Sequence, residues 1–592
     1  MTTRLLLAIL LAFSACAPAS QQSADDTAAT PPNIVLIITD DQGYGDLGFH
    51  GNPDIRTPVL DSLARRSTRF PFFYVSPVCA PTRSSLMTGR YSLRTGIYDT
   101  YNGGAMMDSD EVTLAERLQE AGYATGIFGK WHLGDTYPFR PQDQGFSTSL
   151  VHPAGGMGQV GDIYNYFDYD RSYFDPTVLR DGDPVDAVGY CSDVFTDGAL
   201  AFVEENKDRP FFLYLSFNAP HTPLQVPDDD FAPYADLAFD PARYPQQGRP
   251  FPEMSERDRD DARRIYAMVS NIDDNVGRLW NQLDRLNLTD HTLIIFMTDN
   301  GPQQVRYTGG LRGQKSSVYE GGIRVPFFMH WPGHLPENHD VDLYAAHIDV
   351  APTLLNLAGT AFPNSLAIDG HDLMPAIEGE TVDWAERTLF FYWQRGLPEP
   401  YRNIAVRRGN YKLVGHAPHD AAPENFELFD IAADPYEQTN LNQDHPDIVA
   451  GLKQAFDQWY DETLASPHLG IQRIALGTPH ENPVTLNRND ARGTRGIWAQ
   501  DRIYGYWDVS VEETGLYDVA FRFRTTLPGP GAMMLRVGPT QRTLANTDTT
   551  TTLLTMTDVP LRAGDHLFES WYWHRGGSYM PFYVEVEKKD EG

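Results

Sequence analysis

The feature that most constrains this chain is a recurring pair: an apolar run, then a polar cluster. Ile34-Val35-Leu36-Ile37-Ile38 is apolar throughout and rich in β-branched residues. Such a run has no polar face to give to water, so it reads as a strand covered on both sides. Tyr123 to Phe128, broken by Thr125 and Gly126, Phe211 to Phe217, broken by Ser216, and the apolar Leu293 to Met297 read as further strands. Between these runs the period changes to that of a helix. Thr57-Pro58 opens a segment carrying Leu60 and Leu63, and Leu114, Leu118 and Ala121 mark another that stops at Gly122. A long segment places Ile265, Val269, Ile272, Val276, Leu279, Leu283 and Leu286 on one helical stripe. Strands separated by helices predict an α/β fold, a large and mostly parallel sheet flanked by helices. With 592 residues, of which 41% are apolar, the chain has material for two or three domains.

The residues just past each strand are the second constraint, because open parallel sheets bind ligands beyond their carboxyl ends. Thr39-Asp40-Asp41 comes after the first run, Gly129-Lys130-Trp131-His132 after the second, Asn218-Ala219-Pro220-His221 after the third and Thr298-Asp299-Asn300-Gly301 after the fourth. Any one of these is unexceptional as a turn or a helix cap. Four chemically complementary clusters at equivalent positions point to a single rim. Asp40, Asp41, Asp299 and Asn300 offer only hard oxygen ligands, which suit Ca²⁺ or Mg²⁺, whereas zinc sites usually include His or Cys donors.

Cys79 opens the segment Cys79-Ala80-Pro81-Thr82-Arg83-Ser84-Ser85-Leu86-Met87-Thr88-Gly89-Arg90. Pro81 predicts a helix starting just after it, whose free N–H groups would favour an anion. Arg83, four residues on, shares that helical face. From the residues alone Cys79 reads either as a core cysteine or as a thiolate nucleophile. Cys191 reads as a buried free thiol. With three cysteines in the chain, a disulfide scaffold is excluded.

The net charge of −33 argues against nucleic acid or anionic lipid as a general partner. Arg4 followed by the apolar run Leu5 to Phe13 has the form of an export signal, and Phe13-Ser14-Ala15-Cys16 resembles a bacterial lipobox. The expected order is a signal at 1–16 ending in a lipid-anchored Cys16, a tether at 17–32, a catalytic domain at 33–375, a smaller subdomain at 376–467 and an accessory segment at 468–592. In the last, short strands alternate with turns: Tyr504 to Val511, Gly515 to Arg524, Ala532 to Val537, Thr551 to Thr557 and Phe582 to Glu587. They predict an antiparallel β-sandwich. Its aromatics, Trp498, Tyr506, Trp507, Trp571, Tyr572 and Trp573, would serve either as a sugar-binding surface or as a core.

The string C-x-P-x-R followed by x-x-L-x-T-G-R, Cys79 to Arg90, resembles the signature of the type I, formylglycine-dependent sulfatases of the alkaline phosphatase superfamily. Thr39-Asp40-Asp41, Gly129 to Gly134, Ala219 to Pro223, Thr298 to Gly301 and Glu320 to Pro326 match that family in order. The resemblance covers residues 33 to 465, with Thr82 standing where serine is commoner. It implies the alkaline phosphatase-like fold with a smaller α+β C-terminal subdomain. It further implies that a separate formylglycine-generating or anaerobic maturation enzyme oxidises Cys79 to formylglycine. One hydroxyl of the hydrated aldehyde would attack sulfur, and loss of a proton from the other would expel sulfate from the sulfo-enzyme intermediate.

By the same resemblance, Asp40, Asp41, Asp299 and Asn300 bind Ca²⁺ with residue 79, and Arg83 steadies that group. Lys130 and Lys315 neutralise sulfate oxygens. His221 protonates the leaving oxygen, with help from Lys315, and His132 takes the proton of the second hydroxyl. His347 and Asp349 resemble a structural segment; His152, His371, Arg306 and Tyr307 read as loop residues that either line the substrate pocket or serve only their loops. The expected function is an exported sulfatase, periplasmic or on the outer membrane of a bacterium, acting on a sulfated carbohydrate. The alternatives are a phosphomonoesterase or phosphonate hydrolase of the same fold, and a glycan-binding lipoprotein without activity.

Overall fold

The apolar runs do become buried strands, each extended by a polar residue or two toward the rim. A computed structural model describes residues 31–382, 387–416, 421–494 and 496–590; the expected signal, Cys16 and most of the tether lie outside these residues. Asn33–Thr39 is buried along its whole length. It pairs in parallel with Phe211–Ser216 on one side and Thr292–Thr298 on the other. Ala124–Lys130 continues the parallel order beside Phe211–Ser216, and Thr148–His152 lies beyond it. These five parallel strands form the centre of a ten-stranded sheet whose outer strands, such as Phe327–His330 and Thr177–Arg180, run antiparallel.

Alternate side chains of the central strand enter two separate cores. Ile34, Leu36 and Ile38 pack with Leu114, Leu118 and Leu354, from the helices Leu114–Glu120 and Val350–Leu357. Val35 and Ile37 pack with Leu60, Phe202 and Ile272, from Pro58–Arg66, Cys191–Asn206 and Glu256–Arg285. Coverage on both faces is the reason the strand carries no polar alternation. The long helix begins at a Ser255 capping box, which satisfies backbone donors at its exposed end.

Residues 388–430 form an antiparallel four-stranded meander, backed by the helix Pro446–Leu464 through Leu452, Phe456 and Trp459. The C-terminal region is a two-layer β structure. Its larger sheet contains Gly505–Val511, Gly564–His574, Gly531–Val537 and Thr540–Asn546, and its smaller sheet contains Val484–Asn487, Tyr583–Lys588, Gly515–Arg522 and Leu553–Leu561. Three of these strands, Val484–Asn487, Thr540–Asn546 and Gly564–His574, were not legible in the sequence. One pairing departs from the antiparallel expectation: Ile474–Leu476 runs parallel to Gly505–Val511. Met106 and Phe139, far earlier in the chain, belong to the core of this β layer. Trp507 and Tyr572 are core residues there, whereas Trp573 is 47% exposed. Among the described residues no helix is long and apolar enough to cross a membrane.

Candidate active site

Parallel order brings the four polar clusters to one rim. The rim is tied across strands: Asp40 N–H donates to the Ala219 carbonyl at 3.2 Å, and Asp299 N–H to that of Thr39 at 3.0 Å. Asp41 and His132 both take φ of +64°, a left-handed backbone that few non-glycine residues adopt, so the turns hold these side chains at a cost in strain. Gly129, at φ +118°, lies so close to its neighbour that a Cβ would come within 1.8 Å of the Ser216 carbonyl oxygen. That close approach sets Lys130 against Ser216.

Cys79 is the first residue of the helix Cys79–Thr88, every residue of which is buried. The helix therefore starts at the cysteine itself, one residue earlier than the sequence predicts. Arg83, one turn on, donates through Nη2 to Asp299 Oδ2 at 2.9 Å and through Nη1 to the Lys130 carbonyl at 3.1 Å and Ser216 Oγ at 2.5 Å. Lys130 Nζ makes a short ion pair with Asp40 Oδ2. Lys315 Nζ is 2.6 Å from Asp41 Oδ1, which also accepts from Asn300 Nδ2 at 2.8 Å.

These contacts leave Asp40 Oδ1, Asp41 Oδ2 and Asn300 Oδ1 buried with no hydrogen-bond partner among the described residues. Orphaned buried oxygens are costly unless something positive meets them. Single ligand atoms of Asp40, Cys79 and Asp299, and likewise of Asp40, Asp41 and His221, lie within 4.8 Å of one another. The donor set is one of hard oxygens, and it fits a divalent cation of the Ca²⁺ or Mg²⁺ type. Three carboxylates stand against the three cations Arg83, Lys130 and Lys315, so a divalent ion would leave the cluster net positive. That is the balance an anionic substrate needs.

Electrostatics of the unliganded cluster agree. Burial and the neighbouring Asp40 push the Asp299 carboxyl up to about 7. Burial also raises Asp40, but Lys130, His221, Lys315 and Arg83 outweigh it and hold the carboxyl well below its usual range. Burial raises the Cys79 thiol in spite of Lys130 and Lys315, which disfavours the reading of an unmodified thiolate nucleophile.

The histidines are neutral in this setting. Burial first, then Lys315, lowers His221; burial, then Lys130, takes His132 well below its ordinary value. His221 Nδ1 donates to the Thr222 carbonyl at 2.8 Å, which leaves Nε2 free to act 3.7 Å from Asp41 Oδ2. His132 Nε2 donates to the Thr100 carbonyl at 3.0 Å, and its Nδ1 has no partner among the described residues. The acceptor carbonyls fix both tautomers.

Cys79, His132, His221 and Lys315 open onto a cavity of about 510 Å³. Asp40, Asp41, Arg83, Lys130, Asp299 and Asn300 lie beneath them, each no more than 1% exposed. Every residue singled out in the sequence for the site is thus in one cluster. Several others are not. Arg306 is buried, donating to both oxygens of Asp46 and to the Asp41 carbonyl at 2.7 Å, so it braces the rim from behind. Tyr307 packs on Tyr244, and His371 lies in a separate surface depression. His347 bonds Ser76 Oγ at 3.1 Å as a structural residue, and Cys191 is a buried free thiol pushed up to about 12 by its burial. His152 ends its strand beside Lys130, buried and outside the cavity lining.

Sequence reasoning missed Ser216, Thr100, Asp46 and the wall residues Tyr101, Arg395 and Asn489; Trp498, singled out there as an aromatic of the C-terminal segment, lines the same cavity. Ser216 had a signal, since it ends a strand as Thr39 and Thr298 do. The others sit in loops with no pattern to mark them.

A mixed sheet with its polar rim at the carboxyl ends, and a buried ion cluster beneath an anion pocket, defines a hydrolase of the alkaline phosphatase-like fold. The sulfatase family matches residues 32–360, and the C-terminal family of N-sulphoglucosamine sulphohydrolase matches residues 313–462. Arylsulfatase A of Homo sapiens is 34% identical over 480 residues, 72% of this chain and 87% of that protein. N-acetylgalactosamine-6-sulfatase of Canis lupus familiaris is 33% identical over 411 residues, 64% of this chain and 71% of that protein. The crystal structure of Ps i-CgsB in complex with k-i-k-neocarrahexaose aligns with a TM-score of 0.63 at 30% identity, covering 75% of this chain and 95% of that one. The chain belongs to the sulfatase family and is a sulfuric ester hydrolase.

Proposed function

We propose that this enzyme removes sulfate from a sulfated carbohydrate, with residue 79 carried as formylglycine and one Ca²⁺ held by Asp40, Asp41, Asp299 and Asn300. The observation that carries the reading is the opening of residue 79, Lys315 and two histidines onto one cavity, with Lys130 and the orphaned carboxylate oxygens buried beneath it. A bound divalent ion would polarise a sulfate oxygen and lower the pKa of an adjacent hydroxyl.

The chain's own residues do the rest. Lys130 and Lys315 stand where negative charge develops and stabilise it in a site that excludes water. Arg83 is locked by Asp299 and Ser216 and keeps the helix start at residue 79 in register with the rim. His221 offers Nε2 to the leaving oxygen; an anion beside it restores the proton affinity that burial removes. His132 offers Nδ1 for the proton transfer that releases sulfate. Sugar specificity draws support from the N-acetylgalactosamine-6-sulfatase relative and from the neighbour solved with an oligosaccharide.

The test uses the full chain co-expressed with a maturation enzyme. Sulfate release from defined sulfated oligosaccharides should exceed phosphate release from matched phosphomonoesters, and mass spectrometry should find the aldehyde at position 79. Active protein with an unmodified thiol there would overturn the mechanism, and dominant phosphate release would favour the phosphohydrolase alternative. Cys79→Ser should lose multiple turnover while retaining sulfate after a single one. The proposed site of action is outside the cytoplasm, on a lipid anchor at Cys16. Radiolabelled palmitate should enter the native chain and not the Cys16→Ser variant; equal labelling would remove the anchor.

A further inference from the structure

The cavity has a wall that the reaction cluster does not use. Tyr101 comes from the loop after the buried helix, Arg395 from the meander subdomain, and Asn489 and Trp498 from the C-terminal β region. Three parts of the chain therefore meet over one pocket. We propose that Trp498, Tyr101, Arg395 and Asn489 form a subsite for the sugar ring of the substrate, and that this ring carries a second anionic group, carboxylate or sulfate, which pairs with Arg395. The inference rests on the proposed sulfated-sugar hydrolysis and adds the substrate class.

The ring half of the argument is aromatic. Tyr101 and Trp498 stand with centroids 6.1 Å apart at an interplanar angle of 45°, making an apolar surface that the C–H face of a pyranose can cover. Trp498 Nε1 is buried and has no acceptor among the described residues, so it holds an unused donor. Substrate hydroxyl or sulfate oxygens are the acceptors that would satisfy it.

The charge half is a matter of exclusion. The chain carries 80 acidic residues, yet among the described residues lining this cavity there is not one carboxylate. Its charged lining consists of Lys315 and Arg395. Lys315 is engaged with Asp41 at the reacting end. Arg395 is positioned at the other: Nη1 meets Asp99 Oδ1 at 2.6 Å and Thr100 Oγ1 at 2.7 Å, and the guanidinium lies 4.4 Å from the Tyr101 ring centroid. Its side chain is still 39% exposed, and a guanidinium has five donors for carboxylate or sulfate. Asp99 and Thr100 take Nη1, and the remaining donors of this cation are the ones an anionic substituent on the sugar would meet.

The C-terminal region also fixes the loop beneath the wall. Gly103 N–H donates to the Asn489 carbonyl at 3.2 Å, and Gly493 N–H to Asn102 Oδ1 at 3.1 Å. Gly103 takes φ +70°, and a Cβ there would lie 2.7 Å from Arg492 Cγ. The subsite is therefore built on a pinned loop, the same one that gives His132 its Thr100 acceptor.

The experiment compares kcat/KM on three esters, using the full aldehyde-bearing chain: 4-nitrophenyl sulfate, a disaccharide with one sulfate, and the same disaccharide with an added carboxylate or second sulfate. Trp498→Ala should lower the disaccharide-to-aryl ratio about tenfold, mainly through KM, and Trp498→Phe should recover most of it. Arg395→Gln should lower the ratio of doubly to singly anionic disaccharide by about tenfold. Equal losses on all three esters would mean that these residues only brace His132, and would overturn the proposal; so would unchanged ratios. Calorimetric binding of the disaccharides to Cys79→Ala protein separates the two readings. If no ester is hydrolysed but Trp498→Ala still weakens binding, the subsite stands and the sulfated-sugar hydrolysis falls.

Discussion

Lys315 is the residue whose role is easiest to isolate, because its contacts are few. Its side chain is 13% exposed and its ammonium is paired with Asp41, and burial is outweighed by Asp41 so that its proton is held more tightly than usual. Lys315→Ala should lower kcat by about 10²–10³, the typical loss of one charge-stabilising donor, with KM changing much less. Steady-state kinetics decide it, and a change confined to KM would assign the lysine to ground-state binding alone. The acidic and histidine residues of the site were legible in the sequence because each comes just after an apolar run that could only be a buried strand. Thr100 and Asp46 were not, since their roles depend on one carbonyl and one carboxylate placed by loop folding. A threonine or aspartate in a loop carries no trace of such a partner.

At the level of elements, strand Ala124–Lys130 depends on Gly129 for its approach to Phe211–Ser216. Gly129→Ala would force the two strands apart at the rim and shift Lys130, Ser216 and Arg83 together. A loss of about 3 kcal/mol or more in unfolding free energy is expected, with activity lost even where the variant folds. Denaturant melts check the first and turnover the second; a variant with native stability and activity would contradict the geometry.

His347 belongs to the same scale. Buried between Ser76 and the Tyr74 carbonyl, it is pushed by burial down to about 3 from its ordinary 6.5. The unfolded chain takes up this proton near pH 6.5 and the folded chain does not until near 3. Between those values the unfolded state binds more protons, so this contribution to stability is lost as pH falls, by about 1.4 kcal/mol per pH unit. His347→Gln should flatten the stability–pH slope by that amount between pH 6 and about 4; an unchanged slope would mean the buried imidazole does not titrate this way. The main strands were readable from their mainly apolar character. Gly564–His574 was not, because its exposed ends and a run of three buried residues follow neither strict alternation nor a continuous apolar stretch.

On the scale of the whole molecule, the C-terminal β region is not an appendage. Its core takes in Met106 and Phe139, Asn487 Nδ2 donates to Asp135 Oδ2 at 3.0 Å, and Tyr137 N–H donates to Glu481 Oε2 at 2.6 Å. Removing residues 468–592 should expose those apolar groups and leave the Asp99–Gly104 loop unpinned, giving an aggregation-prone chain with little turnover. Calorimetry of the intact chain should show one cooperative transition; a separate melt of the C-terminal region with activity retained would refute this integration. The α/β order could be read from composition and period, whereas the reach of the last strands back to the pocket could not, since no local pattern encodes a contact across nearly four hundred positions. There is a consequence for biosynthesis. Cys79 leaves the ribosome early, on a helix that ends up wholly enclosed, while Trp498 and Asn489 arrive near the end of translation. An unfinished chain thus exposes residue 79 before the walls of the cavity exist, and a complete cavity is deferred until synthesis is almost finished.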